Sequence, residues 1–318
     1  MATAAAGDGG SDRLVASRPG LVSGWIGRGE HLGLLLAAAT SVTAAMPTAV
    51  RYGLADLGGE GAYWLLRSRS RMAQENYLTL AGSAARARRL TRRAFRNYAR
   101  TVVDFLVLES LVRATREAPG MVDTGPLRRV LADHRAAIVV TPHFGNWDLG
   151  AAMTATAGRQ VFAVADAFGP PAVDRRVRAT RERVGVTVIP SGPSSGREAL
   201  RVLRRGDVLC LAADIDHSGS GVGVTFLGRR VTFPAGPATL ALHTDSPIIP
   251  GYVRRRPRGV HEARLLEPLP GPPPGTSGER IRALTQQIAS AFEGIISQEP
   301  SQWFAFHRLA APLPGGDR

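Results

Sequence analysis

A chain of 318 residues, 44% of them hydrophobic, is long enough to bury a sizeable core and too apolar for wholesale disorder. Its formal charge of +14 comes from 40 basic residues, every one an arginine, against 26 acids. No helix-turn-helix, zinc-finger or similar signature accompanies that charge, which argues against a nucleic-acid partner and for an anionic membrane surface.

Residues 1–28 are rich in Gly, Ala and Ser, lack the apolar centre of a signal peptide, and read as a mobile tail. From Leu32 to Val50 the chain carries no formal charge, close to the length that spans a bilayer. Pro47, four Ser or Thr residues and much alanine favour a monotopic contact or a packed helix over a true span. Tyr52, Leu54, Leu57, Tyr63, Trp64 and Leu65 then add surface suited to a membrane interface. Over Ser83–Leu111, Leu90, Ala94, Tyr98, Val102 and Phe105 recur at helical spacing. The opposite side carries Arg86, Arg88, Arg89, Arg92, Arg93, Arg96 and Arg100, either a solvated face or one lying beside phosphates. Residues 29–118 thus read as a helical, membrane-associating layer, and Pro119–Gly125 as a linker into a second region, 119–310, with a tail at 311–318.

The apolar run Ala136–Val140, stopped by Pro142, reads as a buried strand. After it comes His143-Phe144-Gly145-Asn146-Trp147-Asp148 and a helix-compatible segment that Asn146 can cap, with Asp148 in its first turn. An imidazole at a strand end, beside the free N–H groups of a helix N-terminus, suits a reaction in which negative charge develops. It can take the proton of an attacking hydroxyl, and does so better when a carboxylate fixes its tautomer. Asp148, five residues on, is one candidate for that carboxylate.

Strand and helix signals then alternate: Val161–Ala165, a helix from Ala172 to Val184, Val186–Ile189, a helix from Arg197 to Arg204, and Val208–Ala213 ending at Asp214. This implies an α/β fold with a mainly parallel central sheet flanked by helices, its functional groups at the carboxyl ends of strands. His143 and Asp214 both fall at such ends, so Asp214 competes with Asp148 for the imidazole. Cys210, the sole cysteine, excludes an internal disulfide and reads as a buried strand residue. Asp216 and His217 form a polar loop, without the ligand spacing of a metal site.

Gly192-Pro193-Ser194-Ser195-Gly196 matches the GxSxG nucleophile elbow, which makes a Ser194 esterase a rival reading. The elbow needs its serine on a sharp turn directly after the strand, whereas four residues intervene here. Val222–Phe233 reads as a hairpin turning at Gly228-Arg229-Arg230, followed by a helix through His243, a strand at Ile248–Val253 and a proline-rich loop from Pro268 to Gly278. Ile281, Leu284, Ile288, Phe292 and Ile295 line a closing helix, and Trp303, Phe304 and Phe306 are expected to pack back on the core.

The string HFGNWD resembles the signature of the bacterial lysophospholipid and lipid A late acyltransferases. Matching pieces follow in order: Arg181–Gly185, Leu209–Asp214, Val224–Gly228 with Pro234–Pro237, and Gln302–Arg308. The likeness runs from Ala136 to His307. It implies a glycerol-phosphate-acyltransferase-like fold and a fatty acyl chain moved from acyl-CoA or an acyl carrier protein to a lipid hydroxyl. His143 would act as base with Asp148 and Asp214. Arg181 would hold an acidic substrate group, with Gly145 and Asn146 also on the substrate. Relatives in glycolipid synthesis show Glu where this chain has Asp214, one methylene shorter. The implied reaction needs neither metal nor covalent acyl-enzyme. In the actinobacterial branch, which the Arg-, Ala- and Gly-rich composition suggests, the acceptor would be a phosphatidylinositol mannoside at the cytoplasmic face of the plasma membrane. The remaining alternative is a basic, non-catalytic membrane-binding protein on the same scaffold.

Overall fold

Helix formers dominate the first third of the chain and β-branched runs the rest, and the architecture divides accordingly. The computed structural model describes residues 26–309 except 134, 135, 217, 218 and 220. Most of the expected tail at 1–28, all of that at 311–318, and His217 lie outside the described residues.

Five helices come first: α1 (Ile26–Ala45), α2 (Thr48–Leu65), α3 (Arg67–Ala81), α4 (Ala84–Leu106) and α5 (Leu108–Glu117). Pro47 cannot donate a helical hydrogen bond, so the uncharged run from Leu32 breaks there into α1 and α2. No helix among the described residues is long and apolar enough to cross a membrane. The helix expected over 83–111 likewise breaks at Val107 into α4 and α5.

α2 packs inward through Ala55, Gly59 and Tyr63. Polar contacts to α4 flank that seam: Asp56 binds Arg100, Glu60 binds Arg92 and Arg96, and the Tyr52 hydroxyl donates to Asp104 at 2.7 Å. Three arginines expected to face solvent or phosphate are therefore neutralised by two acids one turn apart on α2, while their side chains stay partly exposed. Tyr52 and Tyr63 also turn inward, not toward an interface. Gly59 permits this close approach, since a Cβ there would lie 2.6 Å from the Arg96 Cα. The outward side carries Val50, Leu54, Leu57, Trp64 and Leu65, with Leu57 72% and Leu65 83% exposed.

The remainder is α/β: β1 (Val122–Asp123), α6 (Gly125–Asp133), β2 (Ala137–Thr141), α7 (Trp147–Thr154), β3 (Val161–Ala165), α8 (Pro171–Arg183), β4 (Val186–Pro190), α9 (Ser195–Arg205), β5 (Val208–Ala212), β6 (Val222–Phe226), β7 (Arg229–Phe233), α10 (Gly236–Thr244), β8 (Ile248–Arg255), β9 (His261–Leu265) and α11 (Ser277–Gln298). Seven strands form one sheet in the order β1-β9-β8-β2-β5-β3-β4. β8, β2, β5, β3 and β4 run parallel, while β9 is antiparallel to β8 and carries β1 parallel to itself. The segment 119–125 is thus no simple linker: it supplies an edge strand and opens α6.

Alternate residues of β2 and β5 serve two cores, as period-2 geometry requires. Ile138, Val140 and Leu209 pack toward Val202, Ala238 and Phe292 of α9, α10 and α11. Val139, Val208 and Cys210 pack on the other face toward Leu108, Leu127, Leu149 and Met153 of α5, α6 and α7. Burial pushes the Cys210 thiol up to about 12, so it is an inert core residue. β6 and β7 form a separate hairpin that turns at Leu227-Gly228, one residue earlier than the sequence suggests. Leu227 takes a positive φ of 51° there, with its amide held by the Glu293 carboxylate and its side chain in the core.

Candidate active site

β2 and β5 are neighbours, and their register places Thr141 opposite Ala212. His143 and Asp214 each lie two residues beyond that pair, so two side chains 71 positions apart in sequence emerge together at the carboxyl edge of the sheet. The Asp214 Oδ1 accepts from the His143 backbone N–H at 3.0 Å and lies 2.7 Å from the ring Nδ1. Its Oδ2 accepts from the indole Nε1 of Trp303 at 2.9 Å. The carboxylate is 1% exposed, while 27% of the His143 side chain reaches solvent. With Nδ1 engaged, Nε2 is the ring atom left for chemistry.

The electrostatics follow from this geometry. Burial alone pushes the imidazole down, but the charge and hydrogen bond of Asp214, helped by the more distant Asp166, leave its pKa above the usual histidine value. Burial pushes Asp214 up, yet His143, His307 and the Trp303 N–H together hold it below the usual carboxylate range. Asp214 is therefore a charged, fully hydrogen-bonded orienting group for the ring.

The backbone carrying His143 is clamped from two sides. Gly145 N–H donates to Gln302 O at 2.8 Å, Asn146 N–H to Val253 O at 3.2 Å, and Phe304 N–H to His143 O at 2.8 Å. Thr101 of α4 donates to Gly145 O at 2.9 Å, and its hydroxyl also accepts from Arg255. Arg255 and His261 in turn hold the buried Asp104 at 2.7 and 3.0 Å. Gly145 sits at φ 59°, where a Cβ would collide with the carbonyl oxygen of Val253. Replacing Gly145 by alanine is expected to cost about 2 kcal/mol or more from backbone strain and overpacking. A falling urea midpoint with unchanged slope would register it.

Asn146 caps α7, its side chain accepting from Leu149 N–H at 3.0 Å. The amides of Gly145 and Asn146 are occupied by backbone carbonyls, so neither is an open oxyanion donor. The N–H groups of Trp147 and Asp148 have no acceptor among the described residues. They open the N-terminus of α7, where the dipole also favours negative charge.

Asp148 does not serve as the imidazole's partner. Its carboxylate accepts from Arg181 Nε at 2.7 Å, and the Arg181 guanidinium lies 5.7 Å from the centre of the Phe105 ring. The reason is directional: helix geometry turns Asp148 toward α8, whereas the parallel register delivers Asp214 to the ring. The same pairing braces α8 against α7 through the Nε of Arg181, so that guanidinium is anchored to Asp148. The pair is largely buried, so Asp148→Ala should destabilise the fold by about 1.5–3 kcal/mol. A second change, Arg181→Leu, should recover part of that loss in equilibrium unfolding, since it removes the stranded charge.

Ser194 has ordinary helical backbone angles, φ −92° and ψ −14°, and lies exposed at the start of α9. It shows neither the strained turn nor the histidine contact of a nucleophile elbow, so the esterase reading falls. Asp216 closes its loop by accepting from the amides of Gly219 and Gly221 at 3.2 and 2.8 Å.

This constellation can be compared with known proteins. The model of the bacterial lipid A biosynthesis acyltransferases matches residues 30–310, well over half of the sequence. The chain belongs to that family. Among its relatives is the phosphatidylinositol mannoside acyltransferase of Mycolicibacterium smegmatis, 31% identical over 186 residues, covering 58% of this chain and 59% of the relative. The enzyme of the same name from Mycobacterium tuberculosis is 31% identical over 184 residues, covering 56% and 55%. The alignment thus spans less than two thirds of either relative. Within this acyltransferase family member, sequence reasoning brought His143 and Asp214 to one cleft and left the choice of partner open. It missed Trp303, which it assigned to core packing. A tryptophan in a buried C-terminal segment needs an acceptor for its one N–H, and that need is the signal the sequence carries. It also missed Asn76 and Tyr77 of α3, which hold the backbone of Trp303, Ala305 and His307 and so fix the indole.

Proposed function

We propose that the protein moves a fatty acyl group from a thioester of coenzyme A or an acyl carrier protein to a hydroxyl of a glycolipid, in the phosphatidylinositol mannoside class. The observation that carries this reading is the His143–Asp214–Trp303 relay at the ends of two adjacent parallel strands. His143 Nε2 takes the proton of the acceptor hydroxyl as that oxygen attacks the thioester carbonyl. The oxyanion rests against the Trp147 and Asp148 amides and the α7 dipole. Collapse breaks the C–S bond, the thiolate leaves, and the imidazolium returns its proton to sulfur. Transfer is direct, with no acyl group on the protein.

The outward face of α2 supports work at a lipid surface, on the cytoplasmic side of the plasma membrane. Val50, Leu54, Leu57, Trp64 and Leu65 are exposed apolar groups on one short helix, more than a soluble surface helix needs to leave in water. Exposed Arg88, Arg89 and Arg93 of α4 add attraction for anionic headgroups. The test incubates the protein with an acyl-CoA and a phosphatidylinositol mannoside extract. Mass spectrometry should find one added acyl chain on the lipid and free thiol in equal amount. Thioester loss without acylated lipid would point to a hydrolase, and neither change to a membrane-binding scaffold.

A further inference from the structure

A cleft of about 970 Å³ opens between α1, α5 and α8, separate from His143. Its lining is apolar along Leu36 and Ala37 of α1, Leu106 and Val177. Around it stand Arg113 of α5 and Arg175, Arg176 and Arg183 of α8. Glu109 neutralises Arg183 at 2.5 Å. Arg113, Arg175 and Arg176 have no carboxylate partner among the described residues. Unneutralised guanidiniums along an apolar trough match one kind of ligand, an amphiphile with a phosphate at the head of an acyl chain.

We infer that this cleft holds an anionic phospholipid, with its phosphodiester on Arg175, Arg176 and Arg113 and one acyl chain along α1. Three features place the lipid there. α1 carries no charge from Leu32 onward and turns Leu35 and Val42 outward, giving a chain an apolar route between bilayer and trough. α8 begins after the carboxyl end of β3, so the helix that carries Arg175 and Arg176 starts on the edge of the sheet that carries His143. Farther along α8, Arg181 grips Asp148 of the HFGNWD turn, which ties the cleft wall to the site. The chain's own residues 1–25 are a poorer occupant, since Asp8 and Asp12 are offset by Arg13 and Arg18. The inference rests on the acyl-transfer reading only in making this lipid the acceptor. It places the phosphate on arginines without a carboxylate partner among the described residues, where Arg181 is already tied to Asp148 through its Nε.

Binding, not turnover, tests it. Titration calorimetry of the full chain with dioctanoyl phosphatidylinositol below its micelle concentration should show one site. The double variant Arg175→Gln/Arg176→Gln should weaken it at least tenfold, and Ala37→Trp, which fills the trough, by a similar factor. His143→Ala should bind as tightly as wild type, so loss of the catalytic reading would leave this result standing. Dioctanoylglycerol should bind at least tenfold more weakly than the phospholipid, and inorganic phosphate a hundredfold more weakly. Unchanged affinity in both cleft variants would overturn the assignment. Equal binding of inorganic phosphate would make the cleft a free-anion site, and equal binding of dioctanoylglycerol a plain apolar one. Loss of acyl carrier protein binding in the arginine variant, with phospholipid unaffected, would make it a carrier-docking surface.

Discussion

His143→Ala is expected to lower acyl transfer by about 10²–10⁴-fold in kcat, the usual worth of a positioned general base, with KM for the thioester changed little. The fold should survive. Asp214 would still accept from the residue-143 backbone N–H and from the Trp303 indole, and would lose only the ring contact. The partial loss of that contact to a buried carboxylate should cost about 1–3 kcal/mol, visible as a lowered urea midpoint but not as unfolding. Activity per folded molecule is therefore the quantity to compare. A variant within tenfold of wild type would remove His143 from the chemistry.

Asp214→Asn separates orientation from mere presence of the base. The amide is nearly isosteric, but it must either turn an NH₂ toward the Trp303 indole donor or toward the His143 N–H. Either way a buried donor faces a donor. The rate should fall by on the order of 10³-fold, because the tautomer with Nε2 free is no longer enforced. The pH profile carries the sign. On the proposed mechanism the neutral imidazole is the active form, and its pKa is raised, so kcat/KM should climb with pH through a midpoint above about 6.5. Removing the Asp214 charge leaves burial as the dominant influence, and burial disfavours the imidazolium. The midpoint should then move to lower pH, below the ordinary histidine value. A midpoint that stays put would mean that the carboxylate only packs there.

What the sequence disclosed and what it withheld divide along a physical line. Local patterning marked β2, β3, β4, β5 and β8 because a strand buried on both faces is a continuous apolar run, and it marked α8, α9 and α11 by their flanks and period. It did not mark β9, whose His261, Glu262 and Arg264 look like a loop. Glu262 is neutralised there by Arg254, Arg256 and Arg264, a tertiary arrangement that no window of sequence contains. The same limit governs the site. HFGNWD announced a histidine and a nearby acid, yet the acid on the ring is 71 residues away, delivered by the register of β2 against β5. The motif's own Asp148 serves Arg181. The arginine stripe on α4 was legible as charge, but the pairing of Arg92, Arg96 and Arg100 with α2 depends on how two helices pack, which leaves Arg88, Arg89 and Arg93 and the outward apolar residues of α2 as the interfacial signal.

The central claim is a direct transfer in which one imidazole passes a proton from hydroxyl to thiol. A rapid-quench single turnover tests it most directly, using acyl-labelled thioester, excess protein and the mannosylated acceptor lipid, with protein and lipid separated at each time point. Label is expected to leave the thioester and enter the lipid at one rate, with none covalently bound to protein at any time, and His143→Ala to block both. Label that passes through the protein at a competent rate, or label that reaches water but never the lipid, would contradict it.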